Sequence, residues 1–366
     1  MKAMIEKLRN EINSLGKKID RRVKIMEVCG THTVAIFKHG IRELLPKNIK
    51  LISGPGCPVC VTSVGDVERA MEVSLQSDVV FATFGDMLRV PGVKKSLSDV
   101  KGEGADIRVV YSPMDALKLA VEQKSKKEGK REPKKVVFFA AGFETTSPLI
   151  AATLDIAEKE KIENFYILSV HKLVPPALDA LLAGGEVEVD GFMLPGHVST
   201  IIGSRPYGFI PQRYKKCGVI TGFDAIDILQ GIYMLLHMIA NRTFSIEIQY
   251  SRAVREEGNP KAVSLMEQYF EPVDTMWRGI GVIKASGLGL KESKKHRDVN
   301  THYDFKQTVF EVHSACSCGD ILKGIKEPFD CVMFGKNCTP ENPVGPCMVS
   351  MEGSCSAYYK YIGLNK

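Results

Sequence analysis

No run of about 18 consecutive apolar residues, the least that a membrane-spanning helix needs, occurs in this chain of 366 residues. Residues 1–20 also lack the apolar core of a secretory leader, because Lys7, Arg9 and Glu11 interrupt them. Instead Ile5, Leu8, Ile12, Leu15 and Ile19 recur at spacings of three and four, the stripe of an amphipathic helix docked on the body. The expected location is cytoplasmic, with no membrane partner. No GxxxxGK followed by Ser or Thr is present, so no such loop cradles nucleotide phosphates. Gly287-Leu288-Gly289 lacks the third glycine of a dinucleotide fingerprint and its strand-to-helix context. The CxxxCxxC run of a radical SAM enzyme is missing too. Lys124, Lys126, Lys127, Lys130, Arg131, Lys134 and Lys135 crowd one stretch with no aromatic residue among them. A surface for stacking bases needs such aromatics. The stretch therefore reads as a solvated linker, and no nucleic-acid partner is expected.

What is present is ordinary in bulk and unusual in its thiols. Hydrophobic content of 44% and charged content of 25%, with a net charge of +6, describe a globular chain. Its length suggests two or three domains, and a chain of this size needs no disulfides to hold a core. Ten cysteines are present, six of them between 316 and 355. In a reducing compartment, clustered thiols point to metal or redox chemistry.

Short Val- and Ile-rich runs at 24–28, 50–53, 78–82 and 107–111 read as strands. A second set lies at 136–141, 165–170, 191–194 and 218–221. Helical stretches separate them: 66–76 with Asp66 as N-cap, 147–159, 174–182, 223–240 and 260–269. Alternating strands and helices imply parallel sheets. The expected fold is α/β, with two similar parallel-sheet domains facing a cleft and a small Cys-rich Fe–S domain. The expected divisions are an N-terminal helix at 1–22, a first α/β domain at 23–130, a second at 131–245 and a C-terminal helical and loop region at 246–366.

Ligands of open parallel sheets bind beyond the carboxyl ends of the strands. The residues that follow the strands are Cys29-Gly-Thr-His-Thr33, Gly54-Pro-Gly-Cys-Pro-Val-Cys60, Thr83-Phe-Gly-Asp86, Gly142-Phe-Glu-Thr-Thr146, His171-Lys172 and Pro195-Gly-His-Val-Ser199. The pair Cys57 and Cys60, just before a helix, has the spacing of a redox or metal-binding dithiol, against two small residues in a turn. A zinc site would use the same pair but needs two further ligands. Cys29 with His32 three residues on suits a metal ligand or nucleophile, against a packed cysteine and a capping Thr31. Glu144, with Thr145 and Thr146, is either a helix cap or a polar wall of the cleft. His197 is either a satisfied loop histidine or a cleft residue, and Cys217 reads as structural. In the tail, Cys316, Cys318, Cys331, Cys338, Cys347 and Cys355 lie among Gly and Pro. They favour an Fe–S cluster, since four thiolates on flexible loops suit one and the paired CxxC of a zinc ribbon is absent; the spacing is also unlike the C-x2-C-x2-C ferredoxin run, which implies one cluster in a geometry of its own. Metal would then replace the core that this segment lacks.

In their order along the chain, these motifs closely resemble the HypD family of hydrogenase maturation factors. The resemblance implies a scaffold with redox function rather than a metabolic enzyme. Such a scaffold carries the transient Fe(CN)2CO group of NiFe hydrogenases together with the chaperone HypC. HypE would deliver cyanide made with HypF, and the hydrogenase large subunit would be the indirect recipient. It further implies a 4Fe–4S cluster in a setting similar to ferredoxin–thioredoxin reductase. By position, Cys29 would hold iron jointly with the N-terminal cysteine of HypC, and Cys57 and Cys60 would be a redox pair. Cys316, Cys331, Cys338 and Cys355 would ligate the cluster, leaving Cys318 and Cys347 as a dithiol. His32, Glu144, Thr145, Thr146 and His197 would hydrogen-bond cyanide nitrogens or relay protons. One rival is an Fe–S-dependent protein dithiol–disulfide oxidoreductase, which does not need Cys29 with His32. Another is a zinc-binding interaction module, which would be colourless.

Overall fold

The computed structural model describes residues 2–125, 132–303, 305 and 315–362. Part of the basic stretch read as a linker, residues 126–131, lies outside the described residues. The strands, in chain order, are β1 (Val23–Glu27), β2 (Ile49–Ser53), β3 (Val79–Thr83), β4 (Ile107–Val109), β5 (Lys135–Ala140), β6 (Phe165–Ser169), β7 (Gly191–Pro195), β8 (Cys217–Thr221), β9 (Ile246–Ile248), β10 (Phe270–Trp277) and β11 (Gly281–Leu290). The eight expected strands are β1 to β8, although β4 ends at Val109 rather than at residue 111. The fold class is α/β with parallel sheets, as the alternating pattern implies.

The chain divides into two compact units: Met1–Cys60 with Val174–Pro260 and Ala315–Lys366, and Val61–Leu173 with Lys261–Ser314. This corrects the expected boundaries. A division at 130/131 would cut the second sheet, where β3 pairs with β5 across it. The expected C-terminal region is also shared out, since its Cys-rich end groups with the first unit. Local runs of sequence reveal strands but not partners, because pairing is decided by tertiary packing.

In unit 1 the sheet order is β2-β1-β7-β8-β9, with all pairings parallel. Its inner strands are buried on both faces; β7 and β8 are buried throughout, which explains their continuous apolar character. β1 connects to β2 on one side, while β7 connects to β8 on the other. The strand order thus reverses between β1 and β7. A sheet of this kind opens its ligand crevice at such a point. The N-terminal helix Lys2–Lys18 packs on helix Ala225–Asn241. Leu8, Ile12, Leu15 and Ile19 enter one core with Ile228, Ile232 and Leu235, as the apolar stripe predicts.

In unit 2 the sheet order is β4-β3-β5-β6, again parallel throughout. The reversal falls between β3 and β5. The antiparallel hairpin β10–β11 meets the end of β6 through a bridge between Lys172 and Gly287. The helix expected at 66–76 runs from Val64 to Ser74. Its N-cap is Ser63, with Asp66 three positions on completing a capping box, so Asp66 is not the cap itself.

Candidate functional site

The crevice of unit 1 is built by turns. After β1, Cys29 has extended backbone and starts the helix Gly30–Lys38. After β2, the turn at Gly54–Gly56 leads to Cys57 and the short helix Pro58–Val61. These turns are in backbone contact: the Gly30 N–H donates to the Gly56 carbonyl over 3.2 Å. A Cβ on Gly56 would strike the Val28 carbonyl and the Cys29 nitrogen. A Cβ on Gly30 would strike the Glu352 carbonyl. Only glycine permits so close an approach at these two places.

Cys29 is buried. Burial, and then the Glu352 carboxylate, push its thiol up to about 11, while the Thr31 hydroxyl and the backbone N–H groups of His32 and Thr31 pull the other way. The Thr31 hydroxyl also donates to Glu352 Oε1 over 2.8 Å. His32 is fully buried. Its Nε2 lies 3.0 Å from the Gly222 carbonyl oxygen, 3.3 Å from that of Thr221 and 2.9 Å from Thr221 Oγ1. Burial drops its pKa to about 4, so the ring is neutral at pH 7. His197 sits in the helix Gly196–Ile202 rather than in a loop. It is exposed, and desolvation lowers its pKa while Glu352 raises it. Both imidazoles stack on Phe223, at centroid distances of 4.7 Å for His32 and 4.0 Å for His197.

Cys57 and Cys60 are joined as a disulfide with Cα atoms 5.2 Å apart, and both are buried. The Cys60 sulfur is 4.0 Å from the Pro346 carbonyl oxygen, beside Cys347. The dithiol loop therefore touches the Cys-rich tail. In the tail, the Cys316 and Cys318 sulfurs are 3.2 Å apart. Cys347 is in hydrogen-bond contact with Cys318 and Cys355, and these two neighbours, with burial, raise its pKa. Hydrogen bonds from Cys318 and Cys347 pull Cys355 down to about 6. The Cys338 sulfur accepts the Val344 N–H at 3.4 Å, and burial raises its pKa. Cys331 is buried in the same segment. A Cβ on Gly345 would stand 2.5 Å from the Cys316 sulfur and 2.6 Å from that of Cys318, so glycine keeps that side of the thiol group clear. Among the described residues, no three His, Cys, Asp or Glu side chains already stand in a metal-holding arrangement. The donor set, soft thiols on Gly- and Pro-rich loops and at the starts of short helices, nevertheless suits an iron–sulfur cluster.

Glu144 and Lys172 belong to unit 2. Glu144 is buried in the turn after β5, at that sheet's reversal. Thr146 starts the helix Ser147–Lys159, with no cap bond from its side chain; its hydroxyl donates to the Phe143 carbonyl over 3.1 Å. The buried Lys172 ammonium donates to Thr275 Oγ1 at 2.7 Å and Asp66 Oδ2 at 3.2 Å. Cys217 is buried in β8, with its sulfur 3.7 Å from the Asp190 carbonyl oxygen, as a structural residue would be.

Sequence reading missed Glu352 and Phe223. Glu352 is a lone acid between Cys347 and Cys355, and only folding brings it to Cys29. Phe223 carried a usable signal, since it follows β8 in the same register as the motifs that follow the other strands.

The arrangement defines a class: an α/β protein with thiols at the crevice of a parallel sheet and a second group of thiols in a tail that touches it. The chain belongs to the HypD family of hydrogenase maturation factors. That family's model, described as hydrogenase formation hypA family, matches residues 3–362. A Methanocaldococcus jannaschii protein named for hydrogenase expression/formation is 44% identical over 360 residues, covering 98% of each chain. The hydrogenase maturation factor HypD of Escherichia coli is 42% identical over 98% of this chain and 94% of its own. HypD of Cupriavidus necator is 41% identical over 93% and 90%. Among the described residues, no helix is long and apolar enough to cross a membrane.

Proposed function

We propose that this chain is the cytoplasmic assembly scaffold for the Fe(CN)2CO group of NiFe hydrogenases. In this reading Cys29 holds the iron together with a cysteine of HypC, HypE supplies cyanide with HypF upstream, and the hydrogenase large subunit receives the product. The observation that carries it is the setting of Cys29. Its thiol stands at the point where the sheet order reverses, and the backbone N–H groups of Thr31 and His32 favour its charged form. Low-spin iron with cyanide and carbonyl takes soft thiolate donors. Loading must expel the thiol proton, and these amides stabilise the sulfur that remains.

Cys316, Cys331, Cys338 and Cys355 are proposed to hold a 4Fe–4S cluster, with Cys318 and Cys347 as an adjoining dithiol. When bound, the cluster would supply electrons singly. The contact of Cys60 with Pro346 supports exchange between the Cys57–Cys60 pair and the tail thiols. His197, exposed and braced by Phe223, is proposed to meet a cyanide nitrogen.

The test is an infrared spectrum of the complex with HypC, purified without oxygen after co-expression with the other maturation proteins. Metal-bound cyanide and carbonyl bands are expected, and their loss in Cys29→Ala. If the loaded complex shows no such bands, the scaffold reading fails. The contact between disulfide and tail then favours the second reading, a protein dithiol–disulfide oxidoreductase.

A further inference from the structure

We infer that Gln249 is a positioning residue for His32: it orients the Thr221–Gly222 peptide, whose Thr221 carbonyl, beside the Gly222 carbonyl, holds the imidazole as the Nε2–H tautomer with Nδ1 as an acceptor. The inference deepens the proposed role of the Cys29 turn and rests on that reading for its purpose.

The geometry runs outward from the ring. His32 Nε2 faces two backbone carbonyls, at 3.0 Å and 3.3 Å, and the Thr221 hydroxyl at 2.9 Å, which accepts as readily as it donates. Carbonyl oxygens only accept, so Nε2 carries the proton. His32 Nδ1 is buried without a hydrogen-bond partner. A second proton there would leave a buried N–H unsatisfied, at a real cost. The ring is therefore an acceptor at Nδ1, and it offers no donor to a cyanide nitrogen. On this inference, of the two roles expected for this histidine, proton relay fits and donation to a cyanide nitrogen does not.

The Thr221 carbonyl shares its peptide plane with the Gly222 N–H, and the network beneath that N–H holds the plane in place. The Gly222 N–H donates to Gln249 Oε1 over 3.1 Å. Gln249 Nε2 donates to Asp227 Oδ1 and to Gln230 Oε1, each at 2.9 Å. Asp227, a carboxylate, only accepts, and this fixes which end of the Gln249 amide points at Gly222. Arg252 donates to both oxygens of Asp227. The Gln249 backbone N–H is tied to the Ile220 carbonyl at 2.9 Å. A Cβ on Gly222 would overlap the Asp227 carboxylate, so the peptide is clamped on this side as well. Only one orientation of the Gln249 amide satisfies both Asp227 and the Gly222 N–H, so the network holds the Thr221 carbonyl toward Nε2 rather than only filling space.

The test uses the full-length protein labelled with 15N-histidine and purified without oxygen. His32 is assigned by the signal lost in His32→Asn. The wild-type ring is expected to be neutral with its proton on Nε2. In Gln249→Met, and in the smaller Gln249→Ala, the Nε2 proton should exchange with water about tenfold faster, the worth of about one hydrogen bond, and the two tautomers should mix. A purely structural role for Gln249 would change melting temperature without changing the tautomer. A wild-type ring protonated on Nδ1, or a tautomer and exchange rate unchanged in both folded variants, overturns the inference. The spectra are read without cargo. Absent infrared bands and an unexpected tautomer are thus separate failures.

Discussion

Thr31 and Glu352 are 321 residues apart and share a hydrogen bond of 2.8 Å. That contact puts a carboxylate beside a thiol that must lose its proton to bind metal. Burial and the Glu352 charge act in the same direction, holding Cys29 in the neutral form at pH 7. Glu352→Gln removes the charge and leaves the burial. The thiol pKa then falls, more thiolate is present at pH 8, and iodoacetamide labelling of Cys29 followed by mass spectrometry should speed up by about threefold. An unchanged rate would mean that burial alone sets the reactivity. The sequence showed Cys29 as a candidate through its place after a strand and its histidine partner. It could not show Glu352, because no local spacing links an acid in the tail to the first crossover.

At the scale of elements, the tail makes little regular structure of its own. Its longest helix, Ser354–Ile362, packs on the helix that Cys29 begins. Phe37 meets Tyr358 edge-on at 4.7 Å there. Cys316, Cys331 and Cys338 lie outside the helices of the tail, while Cys318, Cys347 and Cys355 lie in the first turns of short helices, and Gly345 is the close approach that leaves Cys316 and Cys318 their room. Gly345→Ala should force those sulfurs apart. After anaerobic reconstitution, bound iron and acid-labile sulfide per chain should fall by at least about half, with unit 1 otherwise folded by circular dichroism. Full iron and sulfide content in this variant would place any cluster away from Cys316 and Cys318. The strands were easier to read than this segment. Val and Ile runs bounded by Gly or Pro report a strand locally, whereas the tail thiols report only that they are close in sequence.

For the whole molecule, acid is the expected weakness. His32 in unit 1 and His171 in unit 2 are buried and neutral, with burial lowering their pKa values to about 4 and about 3. In the unfolded chain a histidine titrates near its ordinary value of about 6.5. Between that value and the folded ones the unfolded chain binds more protons, so stability rises with pH. The stability these rings contribute is present above about pH 6.5 and is lost as pH falls toward 4 and then 3. Denaturant midpoints should drop steadily from pH 7 to pH 5, and His171→Gln should flatten that slope. A midpoint independent of pH in the unsubstituted protein would refute the account.

The sequence by itself determined the strands β1 to β8, the docked first helix and the motifs at the strand ends, because each depends on residues near one another along the chain, but not β9 to β11, where a helical and loop region was expected. Periodicity sets which face is buried, and a turn's chemistry is written in its own few residues. Only the tertiary structure decided that β3 and β4 pair with β5 and β6, while β1 and β2 pair with β7, β8 and β9. It also brought Glu352, Phe223 and Gln249 to the Cys29 turn. Strand partners and buried polar contacts are selected by which distant surfaces exclude water together and satisfy one another's hydrogen bonds. That competition is settled across the whole chain and leaves no mark in a short window of sequence.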